Sequence, residues 1–187
     1  MGKEEKLTPL MIAAKTNNKE FVEILLQKNA DPDVVVKVFN GEEDENYTAL
    51  IYAIEAGSYQ TLPQLYLVTN TELQMSFQKL ADSDFEWEKD ESCFQRLKTA
   101  IKAKIENDNN LFDDFFESAA ISGNRTWLKF LRLEFPHLVK KLSEETRQRL
   151  LQHVVYSVHI HIYTLYLEIC GITYFQVRRE FLSYLNF

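Results

Sequence analysis

Residues 8–33 read TPLMIAAKTNNKEFVEILLQKNADPD, and the way this stretch folds decides the architecture of the chain. Thr8 suits a helix N-cap and Pro9 the first helical position, where a missing N–H costs nothing. Leu10, Ala13 and Ala14 form a narrow apolar side that lets a neighbour come close, on a helix of about two turns. Asn17 and Asn18 suit a turn or positive-φ backbone at its end. Phe21, Val22, Ile24, Leu25 and Leu26 give a second helix a broad apolar face, and Asn29, Asp31 and Pro32 stop it. Two helices this short are marginal alone, so the pair requires similar pairs stacked beside it.

The residues of this stretch carry a family resemblance. Thr8, Pro9, Leu10, Ala13 and Ala14, followed by Leu25, Leu26, Ala30 and Asp31, resemble the opening and close of an ankyrin repeat. Met11 stands where that pattern has His, which removes a side chain able to tie the turn together. Asn17 and Asn29 stand where it has Gly, and Asn is the least costly replacement in left-handed backbone.

The first repeat is expected over 8–40, and residues 48–69 repeat the logic. Thr48, Leu50, Ala53 and Gly57 fall on the same positions, with Ile51 in place of His and Ile54 in place of the second small residue. Leu62, Leu65 and Tyr66 belong to the second helix, whose start Pro63 confines to Thr61 or Leu62. Thr8 and Thr48 are 40 residues apart, against ~33 for an ankyrin period. The added residues fall in VVVKVFNGEEDEN, residues 34–46, expected to form a hairpin or finger between units. Its acids Glu42, Glu43, Asp44 and Glu45 repel one another and pull the loop into water. Either that solvation is their whole role or the finger steers a basic partner.

Further along, residues 70–107 read as a degenerate or enlarged helix pair. Leu73, Phe77 and Leu80 share one side of its first helix. Phe94, Leu97, Ile101 and Ile105 lie along a second helix of about Glu91 to Glu106. Between them, Phe85 and Trp87 stand among acids, as loop anchors or as a partner-facing aromatic patch. A repeat-like pair over 110–142 follows, with Phe116, Ala119, Ala120 and Gly123 in the first helix and turn, and Trp127, Leu128, Phe130 and Leu131 in the second. Asp113 or Asp114 is its expected cap. Asp114 lies 66 residues beyond Thr48, twice the ~33-residue period, which leaves room for one further unit between them. Pro136 starts a short helix, Ser143 caps the next within a pair over 143–171, and Thr173 with Gln176 opens a terminal capping helix over 173–187.

Composition narrows the function classes. The 187 residues, 45% of them apolar, suffice for one domain with a moderate core, and 5 Gly and 4 Pro favour helices over turn-rich structure. A net charge of -7 opposes a general nucleic-acid or anionic-membrane binder. No apolar run approaches membrane-spanning length, and MGKEEK lacks the apolar centre of a secretory leader; Gly2 lacks the Ser or Thr that a myristoylation site needs at Lys6. Cytoplasm is the expected compartment, with delivery into a host cell if the source is microbial.

Chemistry-bearing groups are sparse. Glycines stand singly, so no phosphate loop is formed, and Cys93 and Cys170 make neither a CxxC nor a disulfide framework. His153, His159, His161 and Cys170 are the nearest approach to a metal or thiol–imidazole group. His159 and His161, however, are two residues apart in an expected helix and point roughly 200° apart. No catalytic residue, metal site or cofactor is expected.

The chain is therefore expected to be all-α, an ankyrin-like helical-repeat solenoid forming one domain over 1–187, with a divergent C-terminal half. The resemblance implies noncovalent binding of another protein through a concave surface made of fingers and first helices, and the acidic finger suits a partner with a basic patch. Carried onto this chain, the contact residues are Met11, Ile12, Lys15, Glu42, Glu43, Asp44, Glu45, Asn46, Ile51, Tyr52 and Glu55. The expected protein is a monomer acting as an adaptor or microbial effector on a host protein. The alternative is an enzyme or toxin with its site in the C-terminal half, around His153 to Cys170.

Overall fold

The structure, a computed structural model, describes residues 6–39, 41, 43–83, 85, 90–143 and 145–150. Glu42, Trp87, the group His153, His159, His161 and Cys170, and the helices expected beyond residue 150 lie outside the described residues. The described chain is predominantly helical and divides into two compact units, residues 1–111 and 112–187.

The first unit begins with α1 (Pro9–Lys15) and α2 (Lys19–Gln27). Thr8 caps α1, its hydroxyl accepting the Met11 N–H at 3.2 Å. The Met11 sulfur in turn accepts the Thr8 N–H at 3.5 Å, a weak substitute for the tie that a histidine would make. Asn17 and Asn29 both adopt the left-handed backbone, at φ 54° and 59°. Asn18 rather than Asn17 caps α2, accepting the Phe21 N–H at 3.0 Å.

Strands β1 (Val36–Phe39) and β2 (Asp44–Tyr47) follow as an antiparallel hairpin with Val36 opposite Tyr47 and Val38 opposite Glu45. The residues added between the two Thr positions thus form paired backbone, and the all-α expectation is amended by this hairpin. Next come α3 (Ala49–Glu55) and α4 (Leu62–Val68), with Thr61 at the N-cap and Pro63 in the first turn of α4. α5 (Leu73–Asp82) and the longer α6 (Glu91–Asn107) complete the unit. α1 packs on α3 and α3 on α5, while α4 packs on α6, so first helices stack on first helices and second on second. Ala13, Ala53, Leu50, Leu62, Leu65, Tyr66, Phe77, Leu80, Leu97, Ile101 and Ile105 are buried there.

The second unit takes in most of α7 (Asn110–Ile121), α8 (Arg125–Glu134), α9 (Pro136–Val139) and a helical stretch over 145–150. Here an expectation is corrected. Neither Asp113 nor Asp114 is the cap, because α7 starts earlier, where the Asp108 carboxylate accepts the Asn110 N–H at 3.0 Å. Asp113 lies in the first turn and instead accepts from the Ser143 N–H and the Thr146 hydroxyl, each at 3.3 Å. An aromatic core of Phe112, Phe115, Phe116, Trp127, Phe130 and Phe135 fills this unit, with the Phe115 and Trp127 rings 5.3 Å apart.

One turn recurs in both units. After α1, α3 and α7 the chain turns through a left-handed residue, Asn17, Gly57 or Gly123. The N–H of that residue and of the next fold back on the helix: Asn18 to Ala13, Ser58 to Ala53 and Asn124 to Ala119. This is the Schellman arrangement, which satisfies the orphan carbonyls of a helix end. α5 ends differently, in extended backbone at Ser83.

Candidate functional site

The first helices and the hairpin of the first unit carry an ordered set of polar and aromatic side chains. Lys15, Glu55 and Lys79 each stand seven residues beyond the N-cap of their helix, Thr8, Thr48 and Glu72 respectively. Because α1 packs on α3 and α3 on α5, the three positions form a ladder of alternating charge. The Lys15 ammonium lies 5.6 Å from the Tyr52 ring centre, and Tyr52 meets Tyr47 edge-on at 5.0 Å.

Lys79 is the hub. Its ammonium donates to Glu55 at 2.7 Å and to Tyr47 Oη at 3.3 Å, and pairs with Glu45 Oε2 at 3.0 Å. The Tyr47 hydroxyl donates to the same Glu55 oxygen. Burial disfavours the Lys79 charge, but the bonds to Glu55, Glu45 and Tyr47 outweigh it and hold its pKa above the ordinary lysine value. Burial, and next the acceptor Glu55, push the Tyr47 hydroxyl up to about 12 against the opposing effect of Lys79. The ion pairs stay partly solvated, so each contributes about 0.2–1 kcal/mol. They matter chiefly for position. Glu45 ties β2 to α5, and Asn46 Nδ2 donates to Glu72 Oε1 at 3.0 Å at the start of the same helix.

The residues expected at a contact surface separate accordingly. Ile12, half exposed, and Lys15, Glu43, Asp44 and Glu55 lie on the surface. Met11, Ile51 and Tyr52 do not. All three are buried, Met11 and Ile51 because they sit three residues beyond the cap and turn into the helix stack, Tyr52 because Tyr47 and Lys15 cover it. Glu45 and Asn46 are half-buried and face the protein itself. Sequence reading missed Lys79, whose only mark was its place within a weakly patterned helix, and the exposed Phe39 at the end of β1. Phe85 is half-buried.

A second polar cluster ties the segment after α2 to the connection between α4 and α5 and to α6. The Asp33 carboxylate accepts the Asn70 and Thr71 N–H groups, and Lys104 on α6 donates to Asn70 Oδ1 at 2.8 Å. Among the described residues no group of three or more His, Cys, Asp or Glu is placed to hold a metal ion. No described helix is long and apolar enough to cross a membrane. Cys93 is buried with its thiol donating to the Tyr59 carbonyl at 3.3 Å, and burial pushes its pKa up, away from nucleophilic thiolate.

Comparison with known families gives a matching result for part of the chain. The model described as ankyrin repeats (3 copies) matches residues 1–74, the stretch holding α1, α2, the hairpin, α3 and α4. These residues form an N-terminal ankyrin-repeat region, and α6 to α9 lie outside the match. No curated protein and no solved structure gives a significant match to the chain.

Proposed function

We propose that this protein is a binding module that holds another protein against the first-helix ladder and hairpin of its first unit. Ankyrin repeats are a protein-interaction module, and that likeness supports the general class. The single observation that carries the reading here is the pinned hairpin. Glu45 and Asn46 anchor β2 to α5 while Glu43 and Asp44 remain exposed beside them, so the acids are held on a fixed support. A rigid display lowers the ordering cost of association, and its negative charge favours a partner with a basic surface. Ile12, Lys15 and Glu55 extend the same face along α1 and α3. On this reading the chain acts as an adaptor or effector by occupancy, with no chemical step.

The test is affinity capture with the intact chain and with a Glu43→Lys, Asp44→Lys variant, followed by identification of what each retains. A protein retained by the first and lost by the second, with both chains equally folded, is the expected result. An identical retained set would remove the hairpin from the binding surface.

A further inference from the structure

Between the C-terminal ends of α3 and α5 lies an open hollow of about 450 Å³, lined by Ile54, Glu55, Gly57, Lys79, Asp82, Ser83 and Phe85. That volume falls in the range of roughly 300–1,000 Å³ typical of small-ligand clefts. We infer that this hollow is the anchor site for one arginine or lysine side chain of the bound protein. The inference rests on the binding-module reading above and assigns the chemistry of its central contact.

Three features select a cation with an apolar stem. First, Lys79, the one cation among the described lining residues, is already committed. Lys79 donates to Glu55 and Tyr47 and forms an ion pair with Glu45 Oε2 at 3.0 Å, so its charge is already compensated within the protein. Second, Glu55 retains acceptor capacity. A carboxylate presents about four lone-pair directions, and both the Tyr47 hydroxyl and Lys79 approach Oε1, leaving Oε2 on a side chain that is 41% exposed. Asp82 adds a second carboxylate at the same mouth.

Third, the hollow sits where two helices end. Glu55 is the last residue of α3 and Asp82 the last of α5, so the negative ends of both peptide dipoles lie at the lining, and α3 has no basic residue in its last turn. Ile54 and Phe85 supply an apolar wall for the methylene stem. Gly57 opens the remaining side, with φ +69° and no Cβ. Sequence reading placed Glu55 on the contact surface and left Phe85 as either anchor or patch. The hollow brings both to one site.

The test is a backbone NMR titration of the full chain with the blocked tripeptide acetyl-Gly-Arg-Gly-amide, beside its counterpart carrying neutral citrulline. The expected result is saturable shifts centred on the amides of Glu55, Gly57, Lys79 and Ser83 for the arginine peptide and none for citrulline. The exposed carboxylate of Asp82 supports a change of up to about fivefold in affinity, so Asp82→Asn weakens binding by that order. Glu55→Gln weakens it as well, while Glu20→Gln, at an exposed acid of α2, leaves it unchanged. Equal response to citrulline, shifts centred on the hairpin, no saturable shift, or insensitivity to Asp82→Asn each overturns the proposal. Peptide binding without any captured protein would count against the module reading alone, and a captured protein without peptide binding against the hollow alone.

Discussion

The carboxylate of Asp33 accepts the backbone N–H of Asn70 at 2.7 Å, and the same oxygen accepts that of Thr71 at 2.8 Å. Asp33 follows the first helix pair, and Asn70 and Thr71 lie between α4 and α5. One side chain therefore sets the spacing of successive layers in the first unit. Replacement Asp33→Ala leaves two backbone donors without that acceptor and is expected to cost about 1–3 kcal/mol, read by urea unfolding.

The same contact sets an acid limit. Burial raises the Asp33 pKa, but the Asn70 and Thr71 donors outweigh it, so the folded value lies below the ordinary 3.8. The folded state holds the proton less tightly than the unfolded state. Its contribution is thus complete above 3.8 and is lost as pH falls through the depressed folded value. Stability of Asp33→Asn, measured against the parent from pH 6 down to pH 2, should converge with it at the acid end; a constant difference across that range would contradict the linkage.

Tyr47 sets the opposite limit. Its pKa is raised from 10.0 to about 12, so the folded state keeps the proton longer than the unfolded state does. The stabilisation is complete below pH 10 and disappears as pH rises through about 12. Ultraviolet titration of the parent minus Tyr47→Phe should show one tyrosinate forming well above the ordinary value. A difference spectrum with a midpoint near 10 would mean that the hydroxyl does not meet Glu55 in solution.

Ala13 is buried on α1, and Ala53 occupies the equivalent place on α3, against which α1 packs. Ala13→Leu adds three carbons where there is no room and is expected to cost about 1–3 kcal/mol. An unchanged unfolding transition would show that the helices do not approach closely.

The two asparagines in glycine places should respond differently. Asn17 Oδ1 accepts the Gln60 N–H at 3.1 Å, joining two turns, so Asn17→Gly relieves left-handed strain but removes a bond. Asn29 has the same backbone sign and sits exposed after α2. Asn29→Gly should therefore be more favourable than Asn17→Gly by about 1 kcal/mol, by thermal unfolding of the two variants.

What was legible in the sequence follows from the range of the physics. Thr8, Pro9, Asn18 and Pro63 act within one helical turn, so their local pattern nearly specifies the helix starts. The apolar spacing of Phe94, Leu97, Ile101 and Ile105 likewise defines the buried side of α6. The start of α7 was misplaced because Asp113 and Asp114 are competent caps, whereas α7 begins at Asn110, whose N–H is accepted by Asp108 at the end of α6. At the candidate site the limit is reach. Tyr52 reads as an exposed aromatic until Tyr47 on another element covers it, and Glu45 and Glu55 read as free acids until Lys79 arrives from α5. The acids that Lys79 meets lie 24 to 34 residues before it and leave no mark on local periodicity.

Charge on the hairpin is the point at which the functional account is most exposed to contradiction. The direct measurement is the association rate of the captured partner with the parent chain and with Glu43→Lys, Asp44→Lys, at low and at raised salt. A pinned acidic finger predicts a fall of about tenfold or more at low salt, shrinking as salt screens the charges, with the unfolding transition unmoved. Equal association rates for the two chains at low salt would contradict the account.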